Sequence, residues 1–147
     1  MTNEQQIYIH RMEVLAGALE TFLDTHDPEQ FDISIYHRER ECGSVVCTCG
    51  LAGEIPEFQE QGLVTLPGNS VEYKFAKKMY ENDSEYVGEF LGLRGSADYG
   101  EICDLFYVWF YLDEYGEEVE VTPAMVAKKL RGIIESRKEE WKDDQTS

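Results

Sequence analysis

Positive charge is scarce in this sequence and nearly vanishes from its middle. Between residues 81 and 120 the one base is Arg94, against twelve acids, so that segment carries −11 of a formal net charge of −17. The whole chain sets 13 Lys and Arg against 30 Asp and Glu. Such a field repels nucleic-acid phosphates and anionic lipid at long range, so direct binding to DNA, RNA or membrane is not expected. Apolar runs of membrane-spanning length are missing as well. The first residues, Met1-Thr2-Asn3-Glu4-Gln5-Gln6, lack the basic and apolar parts of a secretion signal, and the expectation is a cytoplasmic protein. Cysteine is sparse: Cys42, Cys47 and Cys49 crowd into eight positions, and Cys103 stands apart. That spacing suits no long-range disulfide framework, so reduced thiols are expected. Neither G-x-x-x-x-G-K-[ST] nor G-x-G-x-x-G occurs, which excludes the common phosphate-cradling loops.

What is present is core material. The chain has 147 residues, 42% of them hydrophobic and 12% aromatic, enough for one domain with its own core. The domain is expected over residues 1–141, with a flexible tail over 142–147. Its class reads as mainly α (α+β): about five helices and one short β-hairpin. Tyr8, Met12, Leu15, Leu19, Phe22 and Leu23 recur at three and four residues and predict a helix over 4–24, stopped by Asp27-Pro28. Ser44 caps a helix running through Leu51, whose small residues permit close packing. Leu66-Pro67-Gly68-Asn69 signals a turn, after which Ser70 caps a helix carrying Val71, Phe75 and Met79. Asp83 or Ser84 starts another helix, with Tyr86, Val87, Phe90 and Leu91 inward and Gly92 or Gly95 at its end, and a further helix spans 96–106. The run Phe106 to Leu112 is rich in aromatic and β-branched residues. It predicts one strand of a hairpin, with Glu117 to Val121 as the other. Thr122-Pro123 starts the last helix, buried along Met125, Val126, Leu130, Ile133 and Ile134.

Phe31-Asp32-Ile33-Ser34, then Glu41-Cys42-Gly43-Ser44-Val45-Val46-Cys47, then Gly50 and Ala52, form a pattern of the type F-D-x-S … E-C-G-[ST]-x-x-C. In this the chain resembles a family of small phage and bacterial proteins of no assigned activity. Gly62-Leu63, Glu89 to Leu93, Leu105-Phe106 and Thr122-Pro123 follow in the family's order. The sequence departs from it at Tyr36-His37, where tryptophan is usual, in the added Cys49, and in its extra acids around 98–120. The resemblance implies a phage-type accessory product that acts on host machinery or host defence.

His37, Cys42, Cys47 and Cys49 carry ligand types that suit zinc, but without the paired C-x₂-C knuckles of a zinc fold. On one helix Cys47 and Cys49 point about 200° apart. Buried thiols in tight helix contacts are the expectation, with a zinc protein as one alternative. Nothing in the spacing brings His10, His26 or His37 onto Cys42, so no catalytic residue and no cofactor are expected, and the protein reads as a non-enzyme. The interaction candidates are the acids Glu85, Glu89, Asp98, Glu101, Asp104, Asp113, Glu114, Glu117 and Glu118, which would steer a basic surface. Tyr107, Trp109 and Tyr111 are expected to form an exposed aromatic face that supplies contact area. Spaced carboxylates on a rigid domain imitate a phosphate backbone and compete for lysine- and arginine-lined grooves. The expected partner is therefore a basic host protein of the nucleic-acid-binding or defence kind. A binder of a nucleotide signal, using Arg38, Arg40 or Arg94 on phosphate, is a second alternative.

Overall fold

The computed structural model describes residues 1–27, 31, 48–66, 70–96, 99–106, 111, 114–116 and 120–142. Among them are seven helices and one two-stranded antiparallel hairpin, so the chain is mainly α. In chain order these are α1 (Asn3–Glu20), α2 (Phe22–Thr25), α3 (Thr48–Glu54), α4 (Pro56–Glu60), β1 (Leu63–Thr65), β2 (Val71–Tyr73), α5 (Asp83–Leu91), α6 (Gly100–Phe106) and α7 (Pro123–Trp141).

The long helices α1 and α7 form the frame. A capping box starts α1: Thr2 Oγ1 accepts the Gln5 N–H, and the Gln5 side chain accepts the Thr2 N–H. Thr122 caps α7 through the Met125 N–H, with Pro123 at the first helical position, where its missing N–H costs nothing. Ile9, Met12, Leu15, Ala16 and Leu19 make one buried stripe on α1, and Val126, Ala127, Leu130 and Ile134 make the facing one on α7. Each large side chain so buried contributes about 1.5–3 kcal/mol. Along the seam Glu20 meets Arg131 at 2.7 Å and Glu13 meets Lys138 at 3.5 Å. The order of these two pairs makes the helices antiparallel.

The second layer is the hairpin with α3, α4 and α5. Leu63 pairs with Tyr73, Val64 with Glu72 and Thr65 with Val71, and the Leu66 N–H donates to the Ser70 carbonyl at 2.8 Å. This corrects the expected helix from Ser70: Val71, Glu72 and Tyr73 are extended, and the turn signal before them joins two strands. The Phe58, Phe90, Tyr73 and Phe75 rings follow one another edge to face, from 4.8 to 6.1 Å between centroids, from the core out to the surface. Gly92 ends α5 in the left-handed region at φ 75°, and a Cβ there would sit 2.5 Å from the Tyr8 ring.

The expected strand over 106–112 is corrected at its two described positions, while residues 107–110, 112, 113 and 117–119 of the expected hairpin lie outside the described residues. Phe106 closes α6, Tyr111 is helical, and both are buried in the one core. The tail beyond Lys142 lies outside the described residues. No described helix is long and apolar enough to cross a membrane.

Candidate functional site

Five of the nine acids expected to steer a partner are described. Three of these are drawn to bases of α7. Lys129 Nζ reaches Asp104 at 2.9 Å and Glu114 at 3.4 Å, with its own side chain 11% exposed. Buried Arg137 donates to Glu101, which also accepts the Arg94 N–H at 2.9 Å. Arg94 in turn forks onto both oxygens of Glu140 at 2.9 and 2.8 Å. Arg94 thus pairs with an acid of its own chain, and Arg38 and Arg40, the other bases considered for phosphate, lie outside the described residues.

Glu85 accepts from Asn82 at the start of α5. Glu89 has a different task. Its carboxylate accepts the Lys77 N–H on both oxygens, at 3.2 and 3.0 Å, and the Tyr80 hydroxyl at 2.6 Å. Burial and the neighbouring Glu89 push the Tyr80 phenol up to about 12. The Tyr80 N–H donates to Tyr86 Oη at 3.0 Å. These bonds fasten residues 74–80 onto α5. At the other end of the loop Gly62, at φ 102°, leaves room for the Phe75 ring, which a Cβ would meet at 2.7 Å, and its carbonyl accepts the Lys74 N–H at 2.7 Å. Asp98, Asp113, Glu117 and Glu118 lie outside the described residues.

The loop displays apolar surface. Phe75 is 63% exposed and Met79 is 91% exposed. Lys74, Lys77 and Lys78 are exposed beside them. Glu81 is exposed just beyond, and Glu85 is half-buried on α5. A cleft of about 100 Å³ lies behind, lined by Tyr80, Glu85, Glu89, Leu93, Gly95 and Ile102.

No family model, curated protein or solved structure matches this chain.

Of the expected aromatic face only Tyr111 is described, and there the expectation is corrected. Tyr111 is fully buried, and its hydroxyl donates to the Leu105 carbonyl at 2.7 Å. Lys129 Nζ lies 4.1 Å from its ring centre, and burial, with the charges of Asp104 and Glu114, holds the phenol far above its usual value. Tyr111 is a core side chain with a satisfied hydroxyl. Tyr107 and Trp109 lie outside the described residues. Of the zinc alternative, Cys49 is buried on α3 while His37, Cys42 and Cys47 lie outside. Among the described residues no group of three or more His, Cys, Asp and Glu is placed to hold a metal ion.

Sequence reasoning missed Phe75 and Met79 because it put them on a buried helix face. The signal for their true place was the Pro67-Gly68-Asn69 turn between two short runs rich in β-branched and aromatic residues. It also missed an open groove of about 650 Å³ between α1 and the end of α4, lined by Asn3, Gln6, Ile7, His10, Arg11 and Gln61. Their spacing on α1, in steps of one, three and four, marks a second helix face.

Proposed function

We propose that the protein is a non-enzymatic binding protein that docks onto a basic protein through the loop over residues 74–80 and the adjoining start of α5. The observation that carries this reading is the pair Phe75 and Met79, exposed by 63 and 91% on a loop that Glu89 and Gly62 hold in place. Single exposed apolar side chains are ordinary, but two on one fastened loop form the kind of apolar surface that marks a contact site. A preorganised loop loses little further freedom on binding, which favours affinity. The formal charge of −17 draws a basic partner and hastens encounter.

The acid positions sort by task. Glu101, Asp104 and Glu114 spend much of their field on Arg137 and Lys129, whereas Glu81 and Glu85 border the loop and steer. Lys74, Lys77 and Lys78 interrupt any row of carboxylates along this edge. The partner surface that fits is basic overall, with an apolar recess for Phe75 and Met79 and acceptors opposite the lysines. The resemblance to phage accessory proteins agrees with a host protein as the target.

Immobilised protein exposed to cell lysate at low and high salt provides the test. The proposal expects a basic protein to be retained at low salt and released at high salt. It expects the double variant Phe75→Ser/Met79→Ser to retain at least ten times less. Equal retention by that variant, or retention indifferent to salt, would overturn it.

A further inference from the structure

The groove on α1 differs in chemistry from the rest of this acidic molecule. Of the described arginines, Arg94, Arg131 and Arg137 each meet a glutamate. Arg11 meets none. Its Nε donates to Gln61 Oε1 at 2.7 Å, its Nη1 donates to the Phe90 carbonyl at 2.8 Å, and its guanidinium stacks 4.0 Å from the Phe90 ring centre. The positive charge is thereby positioned by neutral groups and is not cancelled by a carboxylate. Around it the groove wall offers two carboxamides, Asn3 and Gln6, and the apolar side chain of Ile7, which is 46% exposed, while the Gln61 amide is held between Arg11 and Glu57. Glu57, beside the groove, is engaged by His10 at 2.6 Å and by the Gln61 amide at 3.4 Å.

Carboxamides present a donor and an acceptor in one plane and so match the mixed edge of a heterocyclic base. A guanidinium without a counter-ion suits a phosphate or carboxylate. The volume of about 650 Å³ lies in the ordinary range for small-molecule sites. At physiological ionic strength the molecule's distant acids are screened beyond roughly 8 Å, which leaves Arg11 and Glu57 as the near charges, the latter engaged by His10 and the Gln61 amide. We infer that this groove binds a small planar heterocycle carrying one anionic group, of the nucleoside monophosphate class, with Arg11 on the anion and the carboxamides on the base. The groove adjoins the loop over 74–80 through Gln61 and Gly62, but it is lined by other side chains, so its test reads out separately from that of the loop.

The test is NMR titration of the whole protein with adenosine, guanosine, cytidine and uridine monophosphates in turn, with the free nucleosides and inorganic phosphate as separate arms. At least one monophosphate is expected to shift the side-chain signals of Gln6, Gln61 and Arg11, and to bind at least tenfold tighter than its nucleoside or phosphate alone. Arg11→Gln is expected to weaken it tenfold or more. Because Arg11 also packs on Phe90, Gln6→Glu serves as a second variant: Gln6 is exposed, so the fold is retained while a carboxylate enters the groove, and binding should again fall tenfold. Absence of binding by all four, equal binding of nucleoside and nucleotide, or wild-type affinity in Gln6→Glu would each overturn the inference.

Discussion

A guanidinium 2% exposed is an expensive thing to place on a helix face. Arg137 continues the apolar stripe of Val126, Leu130 and Ile134, where a hydrophobic side chain would ordinarily sit. It is held there by Glu101, by Glu140 at 3.9 Å and by the Trp141 ring, while its Nε is buried without a hydrogen-bond partner. Arg137→Ala should lower unfolding free energy by about 3 kcal/mol in urea, the low end for breaking a buried pair. The low end applies because Glu101 keeps 26% of its side chain exposed and retains the Arg94 N–H. Tyr111→Phe should cost about 1–2 kcal/mol by the same measurement, since it strands the Leu105 carbonyl in the core. Tyr80 carries its own pH signature. Its folded value of about 12 lies above the unfolded phenol near 10, so the folded state holds its proton longer. The corresponding stability is whole below pH ~10 and is lost as pH rises towards the folded value. Ultraviolet titration should show, below the still later buried Tyr111, a late tyrosine step that is lost in Tyr80→Phe and moves earlier in Glu89→Gln.

Between elements, ion pairs and loop anchors divide the work. The Glu20 carboxyl is held below the usual glutamate value by its hydrogen bond from Arg131. The depressed value means a contribution present above pH ~4.3 and lost as pH falls through the lower folded value. Both partners are more than 40% exposed, so solvent screening limits the pair to ~0.2–1 kcal/mol, and Glu20→Gln should remove that much of the acid-limb stability. Glu89→Ala should free the loop over 74–80, read as faster amide exchange at Lys77 and Tyr80 with little change along α1 and α7. Much of this scale was legible in sequence. Thr122-Pro123, the α7 stripe, the α5 stripe and the Gly92 stop stand where their local chemistry puts them. The hairpin was not, because three-residue strands are too short to distinguish alternation from helical spacing. The strand expected at Phe106 and Tyr111 failed for another reason. The run's strand propensity is local, whereas Phe106 and Tyr111 are both buried in a helical setting, and tertiary packing overrides propensity. The pairing of acids was invisible because Lys129 and Asp104 are 25 residues apart and Arg137 and Glu101 are 36 apart.

For the whole molecule, charge and exposed apolar surface act at different ranges. The net charge acts over the screening length and sets how fast a basic partner arrives, while Phe75 and Met79 act only on contact and set how long it stays. Reversing Glu81 and Glu85 to lysine should therefore lower the association rate and its salt dependence, with less effect on dissociation. Changing Phe75 and Met79 should do the opposite, as surface plasmon resonance with the retained partner would read. The most direct measurement of the central claim is amide hydrogen exchange of the protein alone and saturated with that partner. The account predicts slowed exchange over residues 74–80 and the start of α5. Protection confined to other faces, with the loop exchanging as in the free protein, would contradict it.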